Sequence, residues 1–98
     1  MAVYVDRAIW PLRGQLWCHL TADAPDELHA FAAKLGLERS RFQSRPGRPW
    51  RDHYDVTESK RRHAVALGAI ELTLQEVAQH LENKRAAAVT SSPADRRQ

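Results

Sequence analysis

Residues 53–72, HYDVTESKRRHAVALGAIEL, decide the fold. Within them Lys60, Ala64 and Leu67 recur at helical spacing and mark the inward stripe of a helix over Glu58–Leu67. Asp55 or Thr57 stands where such a helix needs a side-chain acceptor at its start, and Gly68 supplies the left-handed residue that ends it. The chain then enters AIEL, a short stretch of strand character. A helix that returns through Leu-Gly to a strand is half of a crossover unit. The same layout occurs upstream as ELHAFAAKLGL, residues 27–37. Two such units point to an α/β fold.

The first helix carries its own punctuation. Pro25 suits the first helical position, and Asp26 and Glu27 complement the positive end of the dipole. Leu28, Phe31, Ala32 and Leu35 form the apolar stripe, and Gly36 ends it. Asp23 is the expected cap, because Ala24 offers no acceptor. Upstream, AVYVD (2–6) reads as a first strand and QLWCHLT (15–21) as a second. The second places Leu16, Cys18 and Leu20 on one face and Trp17, His19 and Thr21 on the other, so it is expected to be covered on both sides. Between them lies a connection broken by Pro11 and Gly14. A short strand is expected near 41–43, followed by the loop SRPGRPWRD (44–52). Thr73 and Glu76 form a capping box that opens a third helix, expected to bury Leu74, Val77, Ala78 and Leu81.

The element order is β-β-α-β-α-β-α. It predicts a small single-domain α/β sandwich with about three helices and a mixed or mainly parallel sheet of three to four strands. The domain is expected to span 1–84. Residues 85–98 lack periodicity and are expected to form a disordered tail.

Composition bounds the function. A chain of 98 residues makes one domain, and 43% hydrophobic with 28% charged residues is ordinary for a globular one. No run approaches the ~20 apolar residues of a membrane span, and the N-terminus lacks the layout of a signal peptide. The single cysteine, Cys18, excludes an internal disulfide and multi-thiolate zinc sites, and it reads as packing. A reducing cytoplasm is the expected compartment. Net charge is +3, but between Arg39 and Arg62 eight basic residues stand against three acidic ones. That patch would attract phosphate-bearing partners, or it is a solvated Arg-rich loop.

Polar residues gather where α/β sheets bind ligands, beyond strand ends and beside helix N-termini. Asp6 ends the first strand, His19 and Asp23 bracket the end of the second, and His53 and Asp55 lead into the second helix. In an extended segment His53 and Asp55 point to one side. With His19, Asp23 or Asp6 they could ligate a divalent metal, or serve as a general base and its orienter. The alternative makes Asp55 the helix cap and leaves His53 bonded in the loop. Lys60 heads the inward stripe in a first turn, where a cation opposes the dipole unless an anion shares the place. Its alternative is a stem that covers core while the head reaches water. Arg61 lies beside it. Trp50, among the loop arginines, suits a nucleobase or a partner surface. His29 reads as a boundary histidine, and His63 and His80 as solvated outer-face residues.

VYVD, LWCHLTAD leading to ELHAFAAKLGL, and HYDVTESKRRHAVALGA together resemble domain-of-unknown-function family 4031, a group of small bacterial and bacteriophage proteins. The resemblance covers about residues 2–80. Its blocks fall on Asp6, Trp17, His19, Leu20, Asp23, His29, Phe31, His53, Tyr54, Asp55, Lys60 and Arg61. It implies a shared polar site and brings no activity with it. SRPGRPWRD departs from the pattern by being longer and more basic.

Three functions fit. The first is a pocket of Asp6, His19, Asp23, His53, Asp55 and Lys60, with Arg61 and Trp50 beside it, that binds a phosphate-bearing small molecule or a single-stranded nucleic-acid end. The second is a metal-dependent hydrolase with His53, Asp55 and His19 or Asp6 as ligands or base. The third is an interaction module without chemistry, which sets Trp50 and the loop arginines on an acidic partner protein; self-association at an open sheet edge is expected besides.

Overall fold

A computed structural model describes residues 2–90. Strand alternation sets its two-sidedness. In β1 (Val3–Val5), β3 (Gln15–Ala22) and β5 (His53–Thr57), Val3, Val5, Cys18, Leu20, Ala22, Tyr54 and Val56 are buried. The alternate residues Tyr4, Trp17, His19, Thr21, His53 and Asp55 face the other way and are only half-buried. Helices α1 (Pro25–Lys34) and α2 (Glu58–Ala66) cover the apolar face with Leu28, Ala32, Leu35 and Ala64, which closes one core. The half-polar face is thereby left for chemistry. β3 was expected to be covered on both faces, but this second face stays partly open.

The fold is α/β with three helices and a mixed sheet, as the sequence indicates. The sheet has six strands rather than three or four: the expected short strands are present as β4 (Phe42–Gln43) and β6 (Ile70–Glu71), and β2 (Trp10–Leu12) and β5 are additional. Their order is β4-β5-β3-β1-β6, with β2 paired to the outer part of β3. β1 and β6 are parallel, and the other pairings among the described residues are antiparallel. Both helical crossovers are present, α1 from β3 to β4 and α2 from β5 to β6. They interleave, so each crossover joins parallel strands that are not neighbours. Two strands escaped the sequence reading. β2 contains Pro11, which an edge strand tolerates. β5 looks like a polar lead-in because only Tyr54 and Val56 of its five residues enter the core.

Local signals place the ends. Thr57 caps α2 by accepting the Lys60 N–H at 3.4 Å, which releases Asp55 from that role. Gly36 follows α1 at φ +78, a backbone state open to glycine. Ala24 caps α1 without a side-chain bond, whereas Asp23, the expected cap, accepts the Tyr4 hydroxyl at 3.0 Å. The Thr73–Glu76 capping box forms, with bonds of 2.8 and 3.1 Å, and opens α3 (Leu74–Thr90).

α3 lies against the second face. The His80 ring meets Tyr4 at 4.4 Å, Lys84 Nζ donates to the Ala22 carbonyl at 2.8 Å, and the short turn Pro49–Arg51 packs beside it. Its stripe is less buried than expected: Leu74 and Ala78 are exposed, and Val77 and Leu81 half-buried. The physical reason is that α3 roofs a groove and does not sit on the core. The helix also continues past the domain boundary expected at 84, because Ala86–Ala88 are the strongest helix formers. The rest of the expected tail, 91–98, lies outside the described residues. No helix among the described residues is long and apolar enough to cross a membrane.

Candidate metal centre

Register between β3 and β5 builds the centre. His19 stands directly opposite Asp55, and His53 follows two residues along the same face of β5. The His19 and His53 rings meet edge to face at 4.9 Å. One donor atom from each of His19, His53 and Asp55 lies within 4.8 Å of the others. A tetrahedral centre with bonds near ~2.1 Å wants donors roughly 3.4 Å apart. His53 Nε2 and Asp55 Oδ1 already stand at 3.2 Å.

The rings are held by partners that settle their tautomers. His19 Nδ1 is 2.7 Å from Asp6 Oδ2, and a carboxylate accepts, so Nδ1 carries the proton. Asp6 Oδ1 also accepts the His19 backbone N–H at 2.7 Å. His53 Nδ1 donates to the Arg51 carbonyl at 2.7 Å. Both Nε2 atoms therefore present lone pairs when the rings are neutral, the arrangement that metal-binding histidines adopt. Trp10 stacks on His19 at 5.3 Å and keeps that ring from swinging outward.

Asp55 is similarly prepared. Its Oδ2 accepts from Gln43 Nε2, while Oδ1 is buried and meets no hydrogen-bond donor among the described residues. A buried carboxylate oxygen without a donor is costly unless something cationic satisfies it. Asp6, the buried charged residue at the end of β1, holds the His19 imidazole above its ordinary pKa through their hydrogen bond, against the pull of burial. Cys18 is no alternative ligand: it is in the core, and burial, with Asp6 adding to it, pushes the thiol up to about 12.

The model of the family described as "Protein of unknown function (DUF4031)" matches residues 3–84. The chain belongs to that family. The DUF4031 match contains the three candidate ligands and their orienting Asp6, and it ends inside α3. No curated protein and no solved structure matches the chain.

The DUF4031 face also carries a groove. A space of about 270 Å³ runs from His19 and His53 to α3. Tyr4, Asp6, His19, Thr21, Arg51 and His53 line its sheet side, and Leu72, Leu74, Val77, His80 and Leu81 its helix side. One wall is thus mostly polar and the facing wall, apart from His80, apolar.

Four expected site residues are elsewhere. Lys60 lies on the opposite face of the sheet, where Nζ donates to the Leu35 carbonyl at 2.6 Å and satisfies the end of α1. Its place in the inward stripe was read correctly, but the partner is a backbone carbonyl and not an anion. Arg61 donates to the Asp6 backbone carbonyl at 2.6 Å and pairs with Glu71 at 3.0 Å, so it braces β1 against β6. Asp23 holds the Tyr4 hydroxyl. Trp50 is half-buried in a separate hollow beside Asp23, Pro25 and α3. Gln43, Arg51, Tyr4 and His80 were missed as site residues. His80 was expected to be solvated like His63, but it is half-buried and lines the groove, while His63 is exposed. The available signal was its position three residues after Val77 and one before Leu81.

Proposed function

We propose that this DUF4031 protein binds a divalent transition metal through His19 Nε2, His53 Nε2 and Asp55 Oδ1, and uses it in hydrolysis of a small ligand. One observation carries the reading: three donors converge while both imidazoles are already turned by Nδ1 partners. Two histidines and one carboxylate suit Zn²⁺, Co²⁺, Mn²⁺ or Fe²⁺ and leave coordination positions open. A metal held there would polarise a carbonyl or phosphoryl oxygen and bring the pKa of a bound water toward neutrality. The protein's own contribution is to fix both rings through Asp6 and the Arg51 carbonyl, and to hold Asp55 Oδ1 beside His53 Nε2.

Calorimetric titration with Zn²⁺, Co²⁺ and Mn²⁺ tests this. One equivalent should bind to the wild-type chain and none to His53→Ala. Absence of binding by the wild-type chain, or equal binding by both, would refute it.

A second reading, binding of a phosphate-bearing ligand, rests on Arg51 at the groove beside His19 and His53. In that form the arginine and the metal would hold the anion together, since Lys60 and Arg61 are engaged elsewhere. A single-stranded nucleic-acid end is the less suitable phosphate source, because the wall facing the polar one is, apart from His80, apolar. The cytoplasm remains the compartment that fits a lone, buried thiol. Self-association finds support in the exposed Ile9, Trp10, Leu12 and Leu16 around the β2–β3 hairpin, and light scattering would show it as a dimer mass.

A further inference from the structure

We propose that the groove between the sheet and α3 takes a small ligand with an aromatic or branched aliphatic body, whose metal-coordinating head sits at His19, His53 and Asp55 and whose body reaches His80. The proposal rests on the metal reading and names the substrate class for the same site. The body's place follows from the walls. Leu72, Leu74, Val77 and Leu81 face the sheet across a space of about 270 Å³. That exceeds the roughly 150 Å³ that encloses a benzene ring in an apolar cavity. The space therefore admits a ring and the few atoms that join it to a head group. It is also continuous with the two candidate imidazole ligands, His19 and His53, which line the same groove.

His80 is the second, independent observation. Its Nε2 is buried and meets no partner among the described residues. The ring is fixed by contact with Tyr4 at 4.4 Å, and Tyr4 is fixed by its bonds to Asp23. Burial, reinforced by Lys84, holds the imidazole below its ordinary pKa, so it is neutral at pH 7. A neutral, immobile imidazole nitrogen without a partner, in the wall of an apolar groove, is suited to one hydrogen bond with a ligand. The helix that presents it is anchored by the Thr73–Glu76 box and by Lys84 on the Ala22 carbonyl, so the wall is preformed.

Hydroxamates supply the probes, since they join one metal-binding head to different bodies. Co²⁺-loaded protein should bind benzohydroxamate at least about tenfold more tightly than acetohydroxamate, read from the visible cobalt band. Leu81→Asn should remove the difference and leave acetohydroxamate unchanged. The His80 ring resonances should move with benzohydroxamate and stay in place with acetohydroxamate. Equal affinities for the two probes, or an unmoved His80, would overturn the groove proposal while the cobalt band still stood. If no cobalt band forms, the metal reading fails instead. The metal-free protein then decides the groove: Val77 and Leu81 methyl resonances that respond to benzohydroxamate alone support it, and silent ones overturn it.

Discussion

Replacing Asp6 by Asn should weaken metal binding without unfolding the protein. Asp6 accepts two bonds of 2.7 Å from His19, one from the backbone N–H and one at Nδ1. Asparagine is nearly isosteric but has one acceptor and one donor. If its oxygen keeps the backbone bond, its NH₂ faces Nδ1. The ring must then carry its proton on Nε2, where a metal would bind. If the amide turns over, NH₂ opposes the buried backbone N–H and one bond is lost. In both cases the orientation of His19 is compromised. Loss of such an orienting partner usually weakens metal affinity tenfold to a hundredfold, or about 1.4–2.7 kcal/mol. Cobalt titration at pH 8, where protons compete least, would measure it, with urea unfolding of the same samples as the control. A pH series adds a metal-free check. Asp6 raises the folded-state pKa of His19, so protonated His19 favours the folded state. That stabilisation is fully present below the unfolded value near ~6.5 and fades as pH rises through the folded value. The stability gap between wild type and Asp6→Asn should therefore be widest in mild acid and narrow above neutrality. A folded Asp6→Asn protein with wild-type cobalt affinity would refute the reasoning.

Other substitutions separate scaffold from site. Lys60→Met should cost about 1.5–3 kcal/mol by removing a charged donor from the Leu35 carbonyl, read as a lower urea midpoint, and should leave the cobalt titration unchanged. Thr73→Ala should cost about 1 kcal/mol and speed amide exchange in the first turn of α3, because the cap bond to the Glu76 N–H is lost. Burial, then the Arg39 guanidinium, holds His29 below its ordinary pKa. The unfolded chain therefore takes up that proton first, and stability present above about 6.5 declines as pH falls toward the folded value. His29→Gln should flatten the loss of stability between pH 7 and pH 5, measured by urea unfolding at each pH.

Much of the scaffold is legible from near neighbours. Pro25 and Gly36 bracket α1, Thr57 and Gly68 bracket α2, and Thr73 with Glu76 opens α3, because caps and left-handed stops act within a turn of the backbone. Alternation in QLWCHLT already separates the face of Cys18 and Leu20 from the face of His19. His19, His53 and Asp55 were expected at strand ends beside helix N-termini, whereas His19 and Asp55 stand in mid-strand on one face of the sheet. Less was legible where a side chain had two possible partners. Asp23 could have capped a helix but holds Tyr4, and Lys60 could have met an anion but satisfies a carbonyl.

The sequence alone determined the α/β class, the three helices with the glycine stops of the first two and the capping box of the third, and the polar residues available for a site. Only the tertiary structure decided that β5 pairs with β3 in the register that sets His19 against Asp55, and that α3 turns His80 toward a groove. The division has a physical cause. Helix and turn signals are carried by bonds between residues a few positions apart, whereas strand register and helix docking are settled by burying Val3, Leu20, Tyr54 and Val56 together across distant segments.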